Sequence, residues 1–99
     1  MSSALEVIYW RDIPAQVMAR QGRAVHRIEL SPRFQIAIDQ AASRAGKTDD
    51  DAYLAEWHKE RSSGNADPES AATEEAARLE AAFSDDVLKG YVRTGGLAP

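Results

Sequence analysis

A chain of 99 residues supports one hydrophobic core rather than two. Although 43% of the residues are hydrophobic, 18 of them are alanines, and Leu, Ile, Val and Phe together number only 18. The net charge of −4 is too small to enforce disorder, and the absence of cysteine excludes disulfides, thiolate nucleophiles and zinc–thiolate or iron–sulfur sites made by this chain.

The N-terminal third predicts β-strands. Residues 5–10 are rich in branched and aromatic side chains and are apolar on both faces, which indicates a strand covered on both sides. Pro14 breaks this pattern, because proline lacks the backbone N–H that a sheet needs. Further strands are predicted over residues 15–20 and 24–30, joined by a Gln-Gly turn. These segments predict a small antiparallel sheet of two to three strands.

Helix-start and helix-stop residues follow the sheet. Ser31 and Pro32 suit the N-cap and first turn of a helix, and Gly46 suits its end. Thr48, followed by three aspartates that favour the positive end of a helix dipole, predicts a second helix that fades into a linker at residues 62–65. Two helices are therefore predicted to follow the sheet.

The last third of the chain is rich in alanine and acidic residues. Asp67 caps a third helix over residues 69–83, whose thin apolar face leaves open whether it docks on the sheet, docks on a partner or frays. Ser84 caps a short last helix that ends at Gly90, and residues 91–99 are predicted to form a loose tail.

Together these elements predict an α+β fold, in which the sheet packs against two to three helices. Of the 18 Leu, Ile, Val and Phe residues, 12 precede residue 58. Residues 1–64 therefore form the predicted α+β core, and residues 65–99 form an Ala-rich, acidic helical extension with a flexible tail in the same domain. The extension must lean on that core or on a partner, because it has few large apolar side chains of its own.

No catalytic, cofactor or metal site is predicted. His26 and His58 stand alone in the sequence, without a second ligand at metal-binding spacing. The aspartates at 49–51 lack the spacing and the glycine of a calcium-binding loop. No serine lies in a nucleophile-elbow pattern, and no glycine-rich loop precedes a helix. We therefore expect a protein that is not an enzyme and needs no cofactor.

Aromatic and charged side chains at one strand end stand out. Trp10, Arg11 and Asp12 lie there beside a proline. One interpretation is structural, with an Arg–Asp local pair and Trp10 buried by the helices. The other is an interface anchor, since Trp and Arg dominate the binding energy of interfaces. Trp57 has the same two interpretations.

Charge is distributed unevenly along the chain. Residues 1–46 contain six basic and four acidic residues, for a net charge of +2, and residues 47–99 contain six basic and twelve acidic residues, for −6. A local basic cluster is formed by Arg20, Arg23, Arg27 and Arg33 with His26. It is either a solvated face, an intramolecular match for the acidic second half, or a docking patch for an acidic partner or nucleic acid. The acidic total argues against nucleic acid, whose binding depends on phosphate neutralisation.

Several segments resemble a known family. The segments are residues 7–17 (Val-Ile-Tyr-Trp-Arg-Asp-Ile-Pro-Ala-Gln-Val), 30–34, 37–39 and 52–57. The sequence is similar there to the small bacterial "virulence factor" domain family. The resemblance covers residues 6–62. The family name reflects a phenotype linked to a larger relative and does not name a reaction, so the resemblance implies no catalytic residues. In larger relatives the domain is one module among others, which implies an accessory or scaffolding role.

Three functions are compatible with these observations. The first is a non-catalytic cytoplasmic module that docks on another protein, with self-association left open. The second is a small auxiliary subunit of an enzyme complex, to which Arg11 and Arg33 would contribute anion-binding groups. The third is a nucleic-acid binder that uses the arginine cluster. A cytoplasmic location without membrane contact is expected, because the chain has no cysteine, no signal-peptide pattern and no apolar run of about 20 residues. The candidate interaction residues are Trp10, Arg11, Asp12, Arg20, Arg23, Arg33 and Trp57.

Overall fold

Four strands and four helices make up the part of the chain that a computed structural model describes, residues 3–64 and 67–99. In chain order they are β1 (Ser3–Trp10), β2 (Ile13–Gln21), β3 (Ala24–Glu29), α1 (Pro32–Arg44), α2 (Asp50–Ala55), β4 (Trp57–Gly64), α3 (Pro68–Ala82) and α4 (Asp85–Arg93). The strands form one antiparallel sheet in the order β3-β2-β1-β4. The predicted α+β class is confirmed, but the described residues contain four strands and four helices where two to three of each were predicted.

Strand β4 lies where we predicted the second half of a helix and the start of a linker. Helix α2 ends at Ala55, and β4 then pairs with β1 over its whole length, with Trp57 opposite Trp10. Every residue from 58 to 63 is exposed, so this edge strand lacks the apolar alternation that marks a half-buried strand. The backbone hydrogen bonds that β1 needs on its second side override the local helix signal. Residue 65 of the predicted linker lies outside the described residues.

The first three strands match the prediction, with one correction at Pro14. Strand β2 begins at Ile13 and includes this proline, which pairs opposite Tyr9. The register shifts between Ile8 and Tyr9, so the pairing is irregular at this point. An irregular stretch of a sheet tolerates a residue that has no N–H to donate. Pro14 therefore sits inside a strand rather than between two strands.

Side-chain caps begin three of the helices. Asp49, rather than the predicted Thr48, caps α2, because its carboxylate accepts a backbone N–H of the first turn at 2.7 Å. Asp67 and Ser84 cap α3 and α4, as predicted. Ser31 occupies the N-cap position of α1 but makes no capping hydrogen bond. Its hydroxyl is used for a longer-range contact.

That contact joins the start of α1 to the end of α3 through Glu80. Its carboxylate accepts the backbone N–H of Ser31 at 2.7 Å and the hydroxyl at 2.8 Å. Arg33 donates to the same carboxylate at 3.0 Å and to the carbonyl of Phe83. Burial by itself raises the pKa of Glu80, but these hydrogen bonds outweigh it and leave the pKa below its ordinary value. Glu80 is therefore held as an anion between the two helices.

Helix α3 packs on the sheet of its own chain, contacting β1, β2 and β3. Its buried face consists mainly of alanines with Leu79, and small side chains allow the helix backbone to approach the sheet closely. Of the three alternatives left open by its thin apolar face, the structure shows docking on the sheet. The core cluster includes, from the sheet and α1, Leu5, Val7, Val17, Ala19, Phe34 and Ile38.

The C-terminal residues also pack on the fold. Helix α4 continues past Gly90, the predicted stop, to Arg93. Beyond it Gly95 and Gly96 are buried, and both have positive φ angles, which glycine adopts without steric strain. The N–H of Asp12 donates to the carbonyl of Gly96 at 2.8 Å. The prediction of a loose tail is therefore wrong. Contacts between residues that are distant in the sequence leave no pattern in the local sequence from which they could be predicted.

Replacing Gly96 with alanine is expected to lower the free energy of unfolding by about 2–4 kcal/mol. At φ +94° a side chain is strained, and its Cβ would lie 2.7 Å from Cζ3 of Trp10. Gly22→Ala is the control, because Gly22 has a φ of +59° with no atom within 4 Å of a Cβ, and it should lose only the backbone part, about 1–2 kcal/mol. Urea unfolding measures both, and equal losses would contradict the packing of Gly96 on the tryptophan.

Candidate interaction surface

Helix α3 covers one side of the sheet, and the opposite side is called the outer face here. Leu5 and Val7 of β1 join the core, so alternation turns Glu6 and Ile8 outward. The strand registers then place one set of residues on the outer face. Met18 belongs to this set: it is only 5% exposed yet lies outside the core cluster. The outer-face residues are Glu6, Ile8, Gln16, Met18, Arg20, Val25, Arg27, Glu29, Lys59 and Arg61.

An ion-pair cluster occupies the centre of the outer face. Glu6 lies opposite Met18 on β2 and opposite Arg61 on β4. Its carboxylate is 3.2 Å from Nε of Arg61 and 4.0 Å from Nζ of Lys59. The Glu6 side chain is 15% exposed, whereas its two cationic partners are largely exposed. The basic residues of β4 therefore neutralise the one carboxylate that lies in the middle of the face.

The hairpin arginines Arg20, Arg23 and Arg27 lie at one end of this face. Arg20 on β2 is opposite Val25, and Arg27 on β3 is opposite Met18, so the two arginines are diagonal neighbours about 7–8 Å apart. Arg23 lies in the turn between these strands. All three are exposed, and none forms an ion pair with any described residue.

Arg33 does not join the hairpin arginines, although the sequence groups it with them. It lies on α1, and its guanidinium is 3.0 Å from the carboxylate of Glu80 and 3.3 Å from that of Asp85. The guanidinium also lies 4.6 Å from the ring centre of Phe34. His26 likewise points to the helix side, because it pairs opposite the buried Ala19. The predicted basic cluster is thus divided, and only its hairpin part is free of intramolecular ion pairs among the described residues.

The Trp57 groove lies at the other end of the outer face, where the start of α1 approaches the sheet. It encloses about 510 Å³. Trp57 is half-buried, and its ring meets the Tyr53 ring edge to face at 6.0 Å. The walls combine apolar surface with the amides of Gln16 and Gln35 and the carboxylate of Glu29. The lining residues are Ile8, Ala15, Gln16, Glu29, Leu30, Pro32, Gln35 and Trp57.

Trp10 is 0% exposed, so it belongs to the core and not to the surface. Its indole Nε1 donates to the carbonyl of Tyr53 at 2.9 Å, and the rings of the two residues stack at 5.8 Å. This is the structural interpretation of the two that the sequence left open. The anchor role that we predicted for Trp10 would require the fold to open.

Arg11 and Asp12 form a turn that is tied to distant elements. Arg11 has a φ of +52°, and its guanidinium donates to Glu56 at 3.0 Å and to the carbonyl of Gly95 at 3.1 Å. Asp12 accepts the N–H of Ala98 at 2.7 Å. The predicted Arg11–Asp12 pair is therefore replaced by contacts with other parts of the chain. These contacts also occupy the anion-binding groups that we had assigned to Arg11.

The carboxylate of Glu56 pairs with two cations at this turn, Arg11 and Lys47. The hydrogen bond from Arg11 lowers the pKa of Glu56, partial burial opposes it, and the charges of Arg11 and of Lys47, at 3.7 Å, lower it further. The pKa of Glu56 is therefore below its ordinary value of 4.5.

The two histidines lie on β3 and β4, the opposite edges of the sheet. Across residues 3–64 and 67–99, no three His, Asp or Glu side chains converge as a group that could hold a metal ion. None of the helices in the same ranges has the length and apolar character that crossing a bilayer requires.

Comparison with known protein families matches residues 8–92 to the family described as Virulence factor. The match extends through α3 and into α4, whereas the resemblance visible in the sequence ended at residue 62. Searches among curated proteins and among solved structures found no match. The helices of the acidic last third are therefore part of the family's domain.

Replacing Glu56 with glutamine is expected to flatten the acid side of the stability profile. A carboxylate whose pKa is lowered in the folded state adds stability above its unfolded pKa and loses it as the pH falls through the folded pKa. The variant lacks this titration, so its unfolding free energy should fall less than that of the wild type between pH 7 and about pH 3. Glu74→Gln, at an exposed position on α3, is the control. Parallel wild-type and Glu56→Gln profiles would contradict the role of the Arg11 contact.

Proposed function

This chain belongs to the virulence factor family, and on that premise we propose that it is a non-catalytic interaction module that docks on another protein through its outer face. One observation carries the proposal: helix α3 covers the sheet on one side, and the other side combines a partly apolar groove with unpaired cations. Interfaces combine these features, with an apolar centre and a polar rim. The cytoplasm is the proposed location, because a chain without cysteine suits a reducing compartment.

Apolar groups that remain accessible on the outer face support this proposal. Val25 is 43% exposed, and Ile8 and Trp57 are half-buried at the groove. Trp is among the residue types that most often anchor an interface when its ring is only partly covered in the free protein. Trp57 is therefore the proposed anchor, in place of the buried Trp10.

The auxiliary-subunit alternative receives less support from the geometry. It needs Arg11 and Arg33 to bind anions at the site of another chain. Both guanidiniums are already paired with carboxylates of this chain, at 3.0 Å in each case. Releasing Arg33 would leave Glu80 without its cation, and releasing Arg11 would leave Glu56 with Lys47 alone. The outer face needs no such rearrangement to bind.

Single cysteines test the proposed docking face, since the natural chain has none. Lys59→Cys places a photoactivatable crosslinker on the outer face beside the Trp57 groove, opposite Ile8, and Thr73→Cys places the same crosslinker on the exposed side of α3. In native lysate we expect Lys59→Cys to crosslink to a specific protein and Thr73→Cys not to do so. Thermal unfolding of both labelled variants checks that they are folded.

Three outcomes of the crosslinking would overturn the proposal. Identical products from both positions would show no preference for the outer face. Products from Thr73→Cys alone would place the docking site on the helices. A Lys59→Cys product with twice the mass of the chain would assign the face to self-association.

A further inference from the structure

We propose that the outer face binds an extended acidic segment of its partner, which places carboxylates on the hairpin arginines and one large apolar side chain in the Trp57 groove. The inference rests on the proposed function and adds the chemical class of the partner. It joins two features at opposite ends of the same face: cations without intramolecular ion pairs and an apolar concavity.

Charge complementarity identifies the acidic class. The hairpin arginines are exposed and form no ion pair with a described residue, although the chain carries a net charge of −4. The planar guanidinium fork matches a carboxylate through two parallel hydrogen bonds. The outer face itself carries two carboxylates, Glu6, which is paired with Lys59 and Arg61, and Glu29 at the groove, and the acidic residues of α3 and α4 lie on the helices instead. A long polyanion such as nucleic acid would meet them, so the balance of charge favours an acidic peptide.

The Trp57 groove identifies the second requirement. Its volume of about 510 Å³ exceeds what one large side chain needs, and Ile8, Leu30 and Trp57 provide apolar walls. A side chain that fills such a concavity removes apolar surface from water on both partners. Gln16, at the groove, offers an amide to the backbone of an extended segment. The groove therefore selects for an apolar residue flanked by accessible peptide groups.

Strand geometry sets the spacing between the two contacts. Gln16 lines the groove, and Arg20 lies four residues later on the same strand and the same face. At about 3.3 Å per residue, four residues of strand span about 13 Å. A partner segment in extended conformation covers the same distance with the same number of residues. Arg27 lies opposite Met18, only two residues from Gln16, so the acidic residues of the segment should lie about two to four positions from its apolar residue.

Fluorescence anisotropy with short synthetic peptides tests this spacing and charge. The probe is a labelled peptide that has one phenylalanine and consecutive glutamates starting two positions away, prepared in both sequence directions. Control peptides replace the glutamates with glutamine or the phenylalanine with alanine. We expect one of the two directions to bind the wild-type chain at physiological ionic strength, and both control peptides to bind at least about tenfold more weakly.

Charge-reversal variants locate the binding. Arg20→Glu/Arg27→Glu should raise the Kd of the acidic peptide at least about tenfold, because attraction becomes repulsion. Arg44→Glu/Arg93→Glu is the control: it makes the same change in net charge at exposed helix positions and should alter the Kd less than about twofold. Circular dichroism confirms that each variant is folded.

The results also separate this inference from the proposed function. Equal binding of the glutamate and glutamine peptides, or equal weakening by both double variants, would overturn the acidic class. Tighter arginine-dependent binding of a single-stranded oligonucleotide than of the peptide would overturn it as well. If Lys59→Cys still crosslinks to a specific protein in those cases, the interaction module stands and only the chemistry of its partner changes. If that crosslink is absent, the interaction module itself falls.

Discussion

The turn at Arg11 and Asp12 is the constraint on which the rest of the structure depends. A positive φ at a non-glycine residue costs about 1–2 kcal/mol, so it persists only where surrounding contacts impose it. Here the Arg11 guanidinium joins Glu56 and Gly95, which are 45 and 84 positions away in the sequence. The backbone N–H of Arg11 also donates to the carbonyl of Glu56 at 3.0 Å. One turn therefore connects the end of β1, the α2–β4 junction and the C-terminal segment, with the buried Trp10 beneath it.

That closure explains how a chain with few large apolar residues forms a core. Gly96 covers the Trp10 ring, and the alanines of α3 allow close approach to the sheet. Most large apolar side chains of the sheet lie on the side that α3 covers, so the outer face carries mostly polar and charged side chains. The uneven charge of the sequence thereby becomes spatial: the hairpin arginines lie on the sheet, and the acidic residues of α3 and α4 lie on the helices.

The candidate surface could be predicted only in part. Arg20 and Arg23 were identified from the sequence because they are close together along one hairpin, where neighbours in sequence remain neighbours in space. Arg33 was grouped with them wrongly, since the chain leaves the sheet after β3 and places it on α1. Trp10 and Trp57 were indistinguishable by residue type, although they pair directly across β1 and β4. Trp10 is buried by α2 and by the C-terminal segment, neither of which is close to it in the sequence, whereas Trp57 stays half-buried.

By itself, the sequence determined the elements whose signals are local. Apolar, branched runs predicted β1 to β3, and the cap residues Asp67 and Ser84 placed the starts of α3 and α4, because both signals depend on interactions within a few residues. Tertiary structure alone decided the remainder. It made an exposed polar segment into β4, because β1 required a second hydrogen-bonding partner, and it packed Gly96 on Trp10. Those outcomes depend on contacts between distant residues, to which no local pattern corresponds.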